Sequence, residues 1–251
     1  MRVRGRPADR LRRAVTAYWG FESTAAGRVR QREGPGAEVV VLVSFGNEWR
    51  IDGERRTSFV GGLRCSRVTT EHTGWSYGMH VGLAPWAAHA VLGVPMHELA
   101  ETTVPFEDLL PRRLVDRLEG APDWDDRFSL LDDFLGRRLA DARPVSPEVI
   151  WAWERLRRTH GRERVASLAE ELGWSRKRLV ARFREQVGLP PKAAARLLRF
   201  ERARELAGTM RWGEVAFACG FADQPHLISE FRAFTGRTPE TFLQDELAAG
   251  A

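Results

Sequence analysis

The stretch that decides the fold lies near the C-terminus, at residues 215–242, and reads VAFACGFADQPHLISEFRAFTGRTPETF. Apolar residues recur on both sides of Gly220 with the spacing of one helix face, and glycine is the residue best suited to a tight turn between helices. Asp223 is a good N-cap for the second helix, Pro225 is tolerated in its first turn, and Gly236 ends it. The inward positions are Val215, Ala216, Cys219, Phe221, Leu227, Phe231 and Phe234. Two short helices joined by such a turn predict a helix-turn-helix unit.

The same pattern occurs once more upstream, at residues 165–188, which read VASLAEELGWSRKRLVARFREQVG. Gly173 provides the turn, Ser175 caps the second helix, and Pro190 prevents its continuation beyond Gly188. The positions that correspond between the two stretches are Gly173-Trp174 with Gly220-Phe221, Leu179 with Leu227, and Phe183 with Phe231. A repeat of this kind is more specific than either unit alone.

A single helix is predicted between the two units, from Lys192 to Ala207. Sixteen residues at about 1.5 Å each give a rigid connection of roughly 24 Å. Two recognition helices joined in this way can enter successive major grooves on one side of a duplex, which lie about 34 Å apart.

The charge of the chain is unevenly distributed along its 251 residues. The formal net charge is +5, but residues 155–204 carry 15 basic and five acidic residues, whereas residues 205–251 carry three basic and seven acidic residues. A segment of net charge +10 around the first unit indicates a polyanionic partner. The same charge would also suit a solvated, ion-paired helix surface.

The first half of the chain predicts a mixture of strands and helices. Residues 39–43 are a β-branched run typical of a buried strand, and residues 75–83 alternate strictly between two faces. Short strands with glycine-rich turns predict a small sheet or barrel. Helices are expected at residues 11–18, 85–92 and 125–139. The prolines of residues 143–147 mark the boundary between a domain at 1–143 and an all-helical domain at 144–251.

Composition excludes several classes of protein. Cys65 and Cys219 are the only cysteines, and they form no motif with histidine, so a disulfide framework and a zinc site are not expected. Cys65 as a redox sensor, activated by Arg64 and Arg67, is less favoured than an inert thiol. We expect no metal, no cofactor and no catalytic residue. Without an apolar signal segment or a membrane span, a cytoplasmic protein is predicted.

The second half resembles the DNA-binding domain of the AraC/XylS family of bacterial transcription regulators, from Ser146 to about Leu243. The resemblance rests on both repeated units and on Thr238-Pro239 and Phe242. The first half is similar to a degenerate cupin-like domain found in one AraC-type group, through Leu92-Gly93-Val94-Pro95, Glu98-Leu99, Val104 and Leu109. The implied fold class is α+β: a small β-barrel-like domain with helices, followed by two helix-turn-helix units joined by a long helix.

Candidate DNA contacts follow from the second helix of each unit. They are Ser175, Arg176, Lys177, Val180, Ala181 and Arg184 in the first unit, and Gln224, Pro225, His226 and Ser229 in the second. Ala181 and Ser229 stand where the family often has an arginine that pairs with guanine, so the family's usual base contact is replaced. His226 serves equally well as a capping residue or a phosphate contact.

The aromatic residues of the first half are candidates for an effector pocket, with plain core packing as the alternative. They are Trp19, Trp49, Trp75, Tyr77 and Trp86. The function expected is a sequence-specific regulator of promoter DNA, controlled by a small molecule or by homodimerisation, with RNA polymerase as a further partner. Two rivals stay open at this point: a cupin-like enzyme fused to a DNA-binding module, and an architectural DNA-binding protein without an effector.

Overall fold

The fold is that of a computed structural model, which describes residues 1–24 and 27–249, with side chains up to residue 244. It belongs to the α+β class, as the sequence predicts. The strands lie in the first half of the chain, and all regular elements described after residue 146 are helices.

The strands form two antiparallel sheets. Their bounds are β1 Arg2–Arg4, β2 Val15–Thr24, β3 Val29–Glu33, β4 Val39–Ser44, β5 Trp49–Ile51, β6 Glu54–Arg56, β7 Phe59–Gly61, β8 Val68–His72, β9 Trp75–Leu83 and β10 Thr103–Pro105. The larger sheet has the order β1-β2-β9-β4-β7-β10, and the smaller has the order β3-β8-β5-β6. Strand β4 is central and buried because the run at 39–43 is β-branched and apolar.

The two sheets face each other without forming a closed barrel among the described residues. Their facing side chains make a small apolar cluster of their own, apart from the main core. The cluster contains Leu42, Trp49, Ile51, Phe59 and Val68, with Phe21 packed against it. The barrel-like expectation is therefore corrected to a two-sheet sandwich, because no hydrogen-bonded ladder joins the sheets within the described ranges.

Strand β2 occupies part of the segment that the sequence predicts as a helix at residues 11–18. Only a 3-10 turn at Asp9–Leu11 is helical there. A bulge between Val15 and Ala17 shifts the pairing of β2 with β9. The bulge places Val15 and Tyr18 on the same buried side three residues apart, which imitates helical spacing. The prediction of a helix was therefore wrong.

The helices cover the larger sheet and build the second half. Their bounds are α1 Pro85–Leu92, α2 Met96–Leu99, α3 Arg113–Glu119, α4 Trp124–Asp141, α5 Pro147–Arg158, α6 Val165–Glu171, α7 Arg176–Val187, α8 Pro191–Leu206, α9 Trp212–Cys219, α10 Gln224–Thr235 and α11 Pro239–Ala249. A second 3-10 turn lies at Phe106–Asp108. Helix α4 lies against β2, where a side chain at Gly20 would collide with the Trp124 ring. Helix α8 is the long connection expected between the two units.

The two halves share one continuous hydrophobic core. The backbone N–H of Ala37, before β4, donates to Oε1 of Glu201 in α8 at 2.8 Å. The guanidinium of Arg67 lies 5.9 Å from the ring centre of Phe242 in α11. Helices α1 and α2 pack on α7. The first half therefore contacts the first helix-turn-helix unit, the helix between the units, and helix α11, which follows the second unit.

Candidate nucleic-acid interface

The first helix-turn-helix unit consists of α6, a glycine turn and α7. Gly173 adopts a φ of +63°, which a residue with a side chain rarely takes. This turn lets the N–H of Trp174 donate to the carbonyl of Ala169 at 2.9 Å. Oγ of Ser175 then accepts the N–H of Arg178 at 3.2 Å and caps α7. The turn and the cap were both predicted from the residue type.

The second unit, α9 and α10, repeats this geometry. Gly220 has a φ of +74°, and the N–H of Phe221 donates to the carbonyl of Ala216 at 2.9 Å. The Asp223 carboxylate accepts the N–H of His226 at 2.7 Å. Ala222 makes this turn one residue longer than the first. The two units that repeat in the sequence therefore also share the same backbone hydrogen bonds at the turn and the cap.

Aromatic side chains hold each recognition helix on its unit. Phe183 of α7 is fully buried, with its ring centre 6.3 Å from that of Trp153 in α5. In the second unit Phe200 of α8 lies 5.0 Å from Phe231 and 4.9 Å from Phe234. These rings fix the rotation of α7 and α10 about their axes, and so determine which side chains face outward.

The two units are connected by polar contacts as well as by α8. Arg196 of α8 forms a two-point ion pair with Glu230 of α10, with N–O distances of 2.9 and 3.1 Å. A guanidinium nitrogen of Arg162, before α6, donates to the carbonyl of Ala218 in α9 at 3.3 Å. These contacts favour a fixed spacing between the two recognition helices.

Every candidate DNA contact on α7 of the first unit is exposed. Arg176, Lys177, Val180, Ala181 and Arg184 lie on the side of α7 away from Leu179 and Phe183, which are fully buried. Two further arginines of this helix are already engaged within the chain. The Arg178 guanidinium stacks 4.3 Å over the Trp174 ring, and Arg182 pairs with Glu185 at 3.0 Å.

The second unit presents a less basic surface. Gln224, Pro225 and Ser229 are exposed on α10. His226 is also exposed, but its Nδ1 accepts the N–H of Ala222 at 3.3 Å and its ring edge meets Phe221. The imidazole therefore completes the cap of α10. Sequence reasoning gave this role only as an alternative to a DNA contact.

The first half leaves the outward side of α7 uncovered. Its helices α1 and α2 meet the C-terminal end of α7, where a side chain at Gly188 would approach the carbonyl of Met96 to 3.0 Å. Gln186 and Val187 are buried near this contact. The outward residues from Arg176 to Arg184 remain exposed.

A cavity of about 690 Å³ lies between the two sheets and extends to α5 and α8. Of the five aromatic residues expected at an effector pocket, Trp19 and Trp49 line it. Trp153 of the second half also lines it, and the sequence gave no signal for this because Trp153 reads as an ordinary core residue of α5.

The other three aromatic residues lie elsewhere, which corrects the expected set. Trp75 and Tyr77 belong to the face of β9 opposite the cavity, which is lined instead by Ser76 and His80 of the alternate face. Tyr77 packs against the Trp124 ring, 5.6 Å away. Trp86 of α1 packs near Ala84 and Leu139.

The surroundings of Cys65 do not favour a redox role. Burial and the neighbouring Glu101 carboxylate raise the pKa of Cys65 to about 12, against the activation that Arg64 and Arg67 would give. No group of three or more metal-binding side chains is found among the described residues. Nor does that part of the chain contain a helix long and apolar enough to span a membrane.

Two family models match the chain. One, described as a helix-turn-helix domain, matches residues 168–245, which include the second unit and all of the first except the start of α6. The other, described as a domain of unknown function (DUF6597), matches residues 3–105. No curated protein matches the chain significantly.

Several solved structures are similar to the chain. A xylose-binding transcription activator, xylR, is 28% identical over 42% of this chain, with a TM-score of 0.35, and the chain spans 29% of its length. The C-terminal domain of AraT, a response regulator from Geobacillus stearothermophilus, is 21% identical over 41% of this chain and 88% of its own, with a TM-score of 0.38. An apo form of a ToxT variant from Vibrio cholerae is 12% identical over 91% of this chain and 97% of its own, with a TM-score of 0.48.

The helix-turn-helix match covers the two units that share turn, cap and core geometry. This chain therefore contains a helix-turn-helix domain of the AraC type at residues 168–245.

Proposed function

We propose that this protein binds specific promoter sequences through both units at once. The observation that carries the proposal is the pairing of two matched units whose outward helix faces are exposed while their inward faces are buried. Helix α8 spans 16 residues, or about 24 Å at 1.5 Å per residue. With the Arg196–Glu230 ion pair, it supports a spacing suited to successive major grooves about 34 Å apart.

The first unit supplies most of the backbone contacts in this proposal. Arg176, Lys177 and Arg184 neutralise phosphates or bind guanine, whereas Val180 and Ala181 contact thymine methyl groups. The N-terminus of α7 at Ser175 adds N–H groups suited to a phosphate. In the second unit, Gln224 and Ser229 read base edges, Pro225 lies beside them, and His226 holds the start of α10.

The first half is the regulatory part in this proposal, with residues 1–143 and 144–251 as the two domains. Its cavity suits a small-molecule effector, and its contacts to α7, α8 and α11 provide a route to both DNA-binding units. RNA polymerase and a second copy of this chain are the protein partners included in this proposal. The proposed location of the protein is the cytoplasm, where it has access to promoter DNA.

Salt-dependent binding to a labelled promoter duplex tests the proposal. The full chain is titrated onto the duplex between about 50 and 200 mM salt, alongside a shuffled duplex of equal length. Each phosphate contact contributes a slope of about −0.9 in a log–log plot of affinity against salt. We expect a steep slope for both duplexes and tighter binding to the promoter. An affinity that does not change with salt, or is equal for the two duplexes, contradicts sequence-specific binding.

A further inference from the structure

The first helix of each helix-turn-helix unit begins at an arginine. Arg164 is the N-cap of α6, and Arg211 is the N-cap of α9. The two residues are 47 positions apart, the same offset that relates Gly173 to Gly220. Both have an extended backbone, with φ and ψ of −79° and 131° at Arg164 and of −68° and 147° at Arg211. They therefore occupy equivalent positions of the two units.

Arginine is an unfavourable residue at the start of a helix. An N-cap normally uses a side-chain oxygen to accept a backbone N–H of the first turn, and a guanidinium has no acceptor. A cation is also disfavoured at the positive end of the helix dipole. The recognition helices have good caps, since Ser175 and Asp223 each accept a backbone N–H at the start of α7 and α10. The same unfavourable residue at two equivalent positions therefore indicates a role other than stability.

Neither of these two guanidinium groups has a partner within the described part of the chain. Both arginines are exposed, and among the residues described neither forms an ion pair within 4 Å or a side-chain hydrogen bond. A neighbouring arginine differs, because Arg155 pairs with Glu163 at 2.9 Å. The donors of Arg164 and Arg211 are therefore left for a partner outside the chain.

The start of α9 lies beside the start of α10. A side chain at Gly213, in the first turn of α9, would come within 3.6 Å of Oε1 of Gln224. Gln224 is the first residue of α10 and a candidate base contact. In a helix-turn-helix, the N-terminal residues of the second helix contact base edges while the first helix crosses the DNA backbone. Arg211, two residues before Gly213, is therefore placed next to the phosphates that flank the groove.

We propose that Arg164 and Arg211 each bind a DNA phosphate at the edge of the major groove that the adjoining recognition helix enters. These contacts presuppose the DNA binding of the proposed function, and they add to each unit a backbone contact outside its recognition helix. Arg164 has the equivalent place in the first unit, because the two units share the same turn and cap hydrogen bonds. A guanidinium suits this role, since it can donate two hydrogen bonds to one phosphate.

The second unit depends most on such a contact. Residues 205–251 carry three basic and seven acidic residues, and the candidate base contacts Gln224 and Ser229 are uncharged. Arg211 supplies a positive charge that holds α10 at the groove. A phosphate contact carries no sequence information, so it positions the unit without changing which bases are preferred.

Arg164→Ser and Arg211→Ser in the full chain should change stability and DNA binding in opposite directions. Serine is a good N-cap, so each variant should melt about 2–4 °C above wild type. Each variant should also lose about one from the salt slope, on the promoter duplex and on the shuffled duplex alike. Arg164→Lys and Arg211→Lys keep the charge and should keep the wild-type slope. Arg117→Ser is the matched control, because it removes the same charge from an exposed position of α3 in the first half.

Three results would contradict the proposed contacts. A wild-type slope in either serine variant overturns the assignment of that arginine. A loss of affinity confined to the promoter duplex also overturns it, since that result is expected of a base contact. Weaker binding together with a melting temperature below wild type overturns it as well, because the arginine would then stabilise the fold.

Uncharged phosphate analogues locate the two contacts. A methylphosphonate is placed at one backbone position of the promoter duplex at a time, which removes a single negative charge. For each arginine, we expect one position that weakens binding by wild type but leaves the affinity of the serine variant unchanged. If both serine variants respond to every position as wild type does, other residues bind the phosphates and the proposal fails.

The results of these measurements separate the two proposals. If wild type binds the promoter and shuffled duplexes equally while the serine variants lose slope on both, sequence-specific binding fails and the phosphate contacts stand. If wild type prefers the promoter duplex and the serine variants keep its salt slope, the proposed function stands and the phosphate contacts fail.

Discussion

Glu201 of α8 accepts the backbone N–H of Ala37 at 2.8 Å, and this bond joins the β-sandwich to the helix that connects the two DNA-binding units. Burial is the largest influence on this carboxyl and raises its pKa above 4.5, although the Ala37 hydrogen bond and Arg204 act in the opposite direction. Glu38 and Glu205 add to the increase. We therefore expect the contact between the halves to depend on pH.

Glu201→Gln should remove this sensitivity. A carboxyl whose pKa is raised by folding stabilises the folded state below its unfolded pKa, and the stabilisation is lost as pH rises through the folded pKa. The variant keeps an oxygen acceptor and cannot ionise. Its melting temperature relative to wild type should therefore increase as the pH is raised from about 4.5 towards neutrality. A constant difference between the two proteins across that range would contradict the role assigned to Glu201.

Lys177→Ala and Arg184→Ala should weaken DNA binding without unfolding the domain. Both side chains are exposed on the outward face of α7, away from Leu179 and Phe183. Each lost phosphate contact should reduce the salt slope by about one. Arg182→Ala is the matched control, because Arg182 is paired with Glu185. Wild-type affinity in either variant, or an equal loss in the control, would show that the outward face is wrongly assigned.

Phe183→Ala and Phe231→Ala should each destabilise the fold by about 3–5 kcal/mol, as truncations of buried aromatic residues do. Both side chains are fully buried. Phe217→Ala is the control, since Phe217 lies on α9 with 86% of its surface exposed. Urea unfolding followed by circular dichroism measures the difference. Equal midpoints for Phe183→Ala, Phe231→Ala and wild type would mean that these rings do not form the cores.

The first unit should dominate affinity, and the second should mainly discriminate between sequences. The double variant Lys177→Ala/Arg184→Ala should lose more affinity at fixed salt than Gln224→Ala/Ser229→Ala. The second double variant should instead reduce the difference in binding affinity between promoter and mismatched duplexes. A good base contact contributes about 1–3 kcal/mol to that difference. A larger affinity loss from the Gln224/Ser229 pair would reverse this order.

The helical half could be predicted in detail because its signals are local. Gly173 and Gly220 mark turns, Ser175 and Asp223 mark caps, and all four are confirmed by backbone angles and hydrogen bonds. The β-sandwich was harder to predict from the sequence. The bulge at Val15 gives apolar residues a helix-like spacing, and no local pattern indicates which face of β9 meets the cavity. Trp153 was missed because its position at the cavity depends on how the two halves pack.

The cavity illustrates the same limit. Strand alternation correctly divides β9 into two faces, but both faces are largely buried, one against α4 and one towards the smaller sheet. From the sequence alone, the face of β9 that carries Trp75 and Tyr77 is therefore the one expected to line the pocket. Only the packing of Trp124 against Tyr77 assigns that face to the helix.

Selection of bound sequences from a random duplex pool tests the central claim most directly. The full chain is used over several rounds at about 150 mM salt, the physiological range. Two recognition helices on one face of DNA predict an enriched motif with two conserved blocks separated by about one helical turn, or 10 base pairs. The Lys177→Ala/Arg184→Ala variant should lose the block read by α7. A pool that stays random, or a single block that persists in this variant, would contradict binding through two paired units.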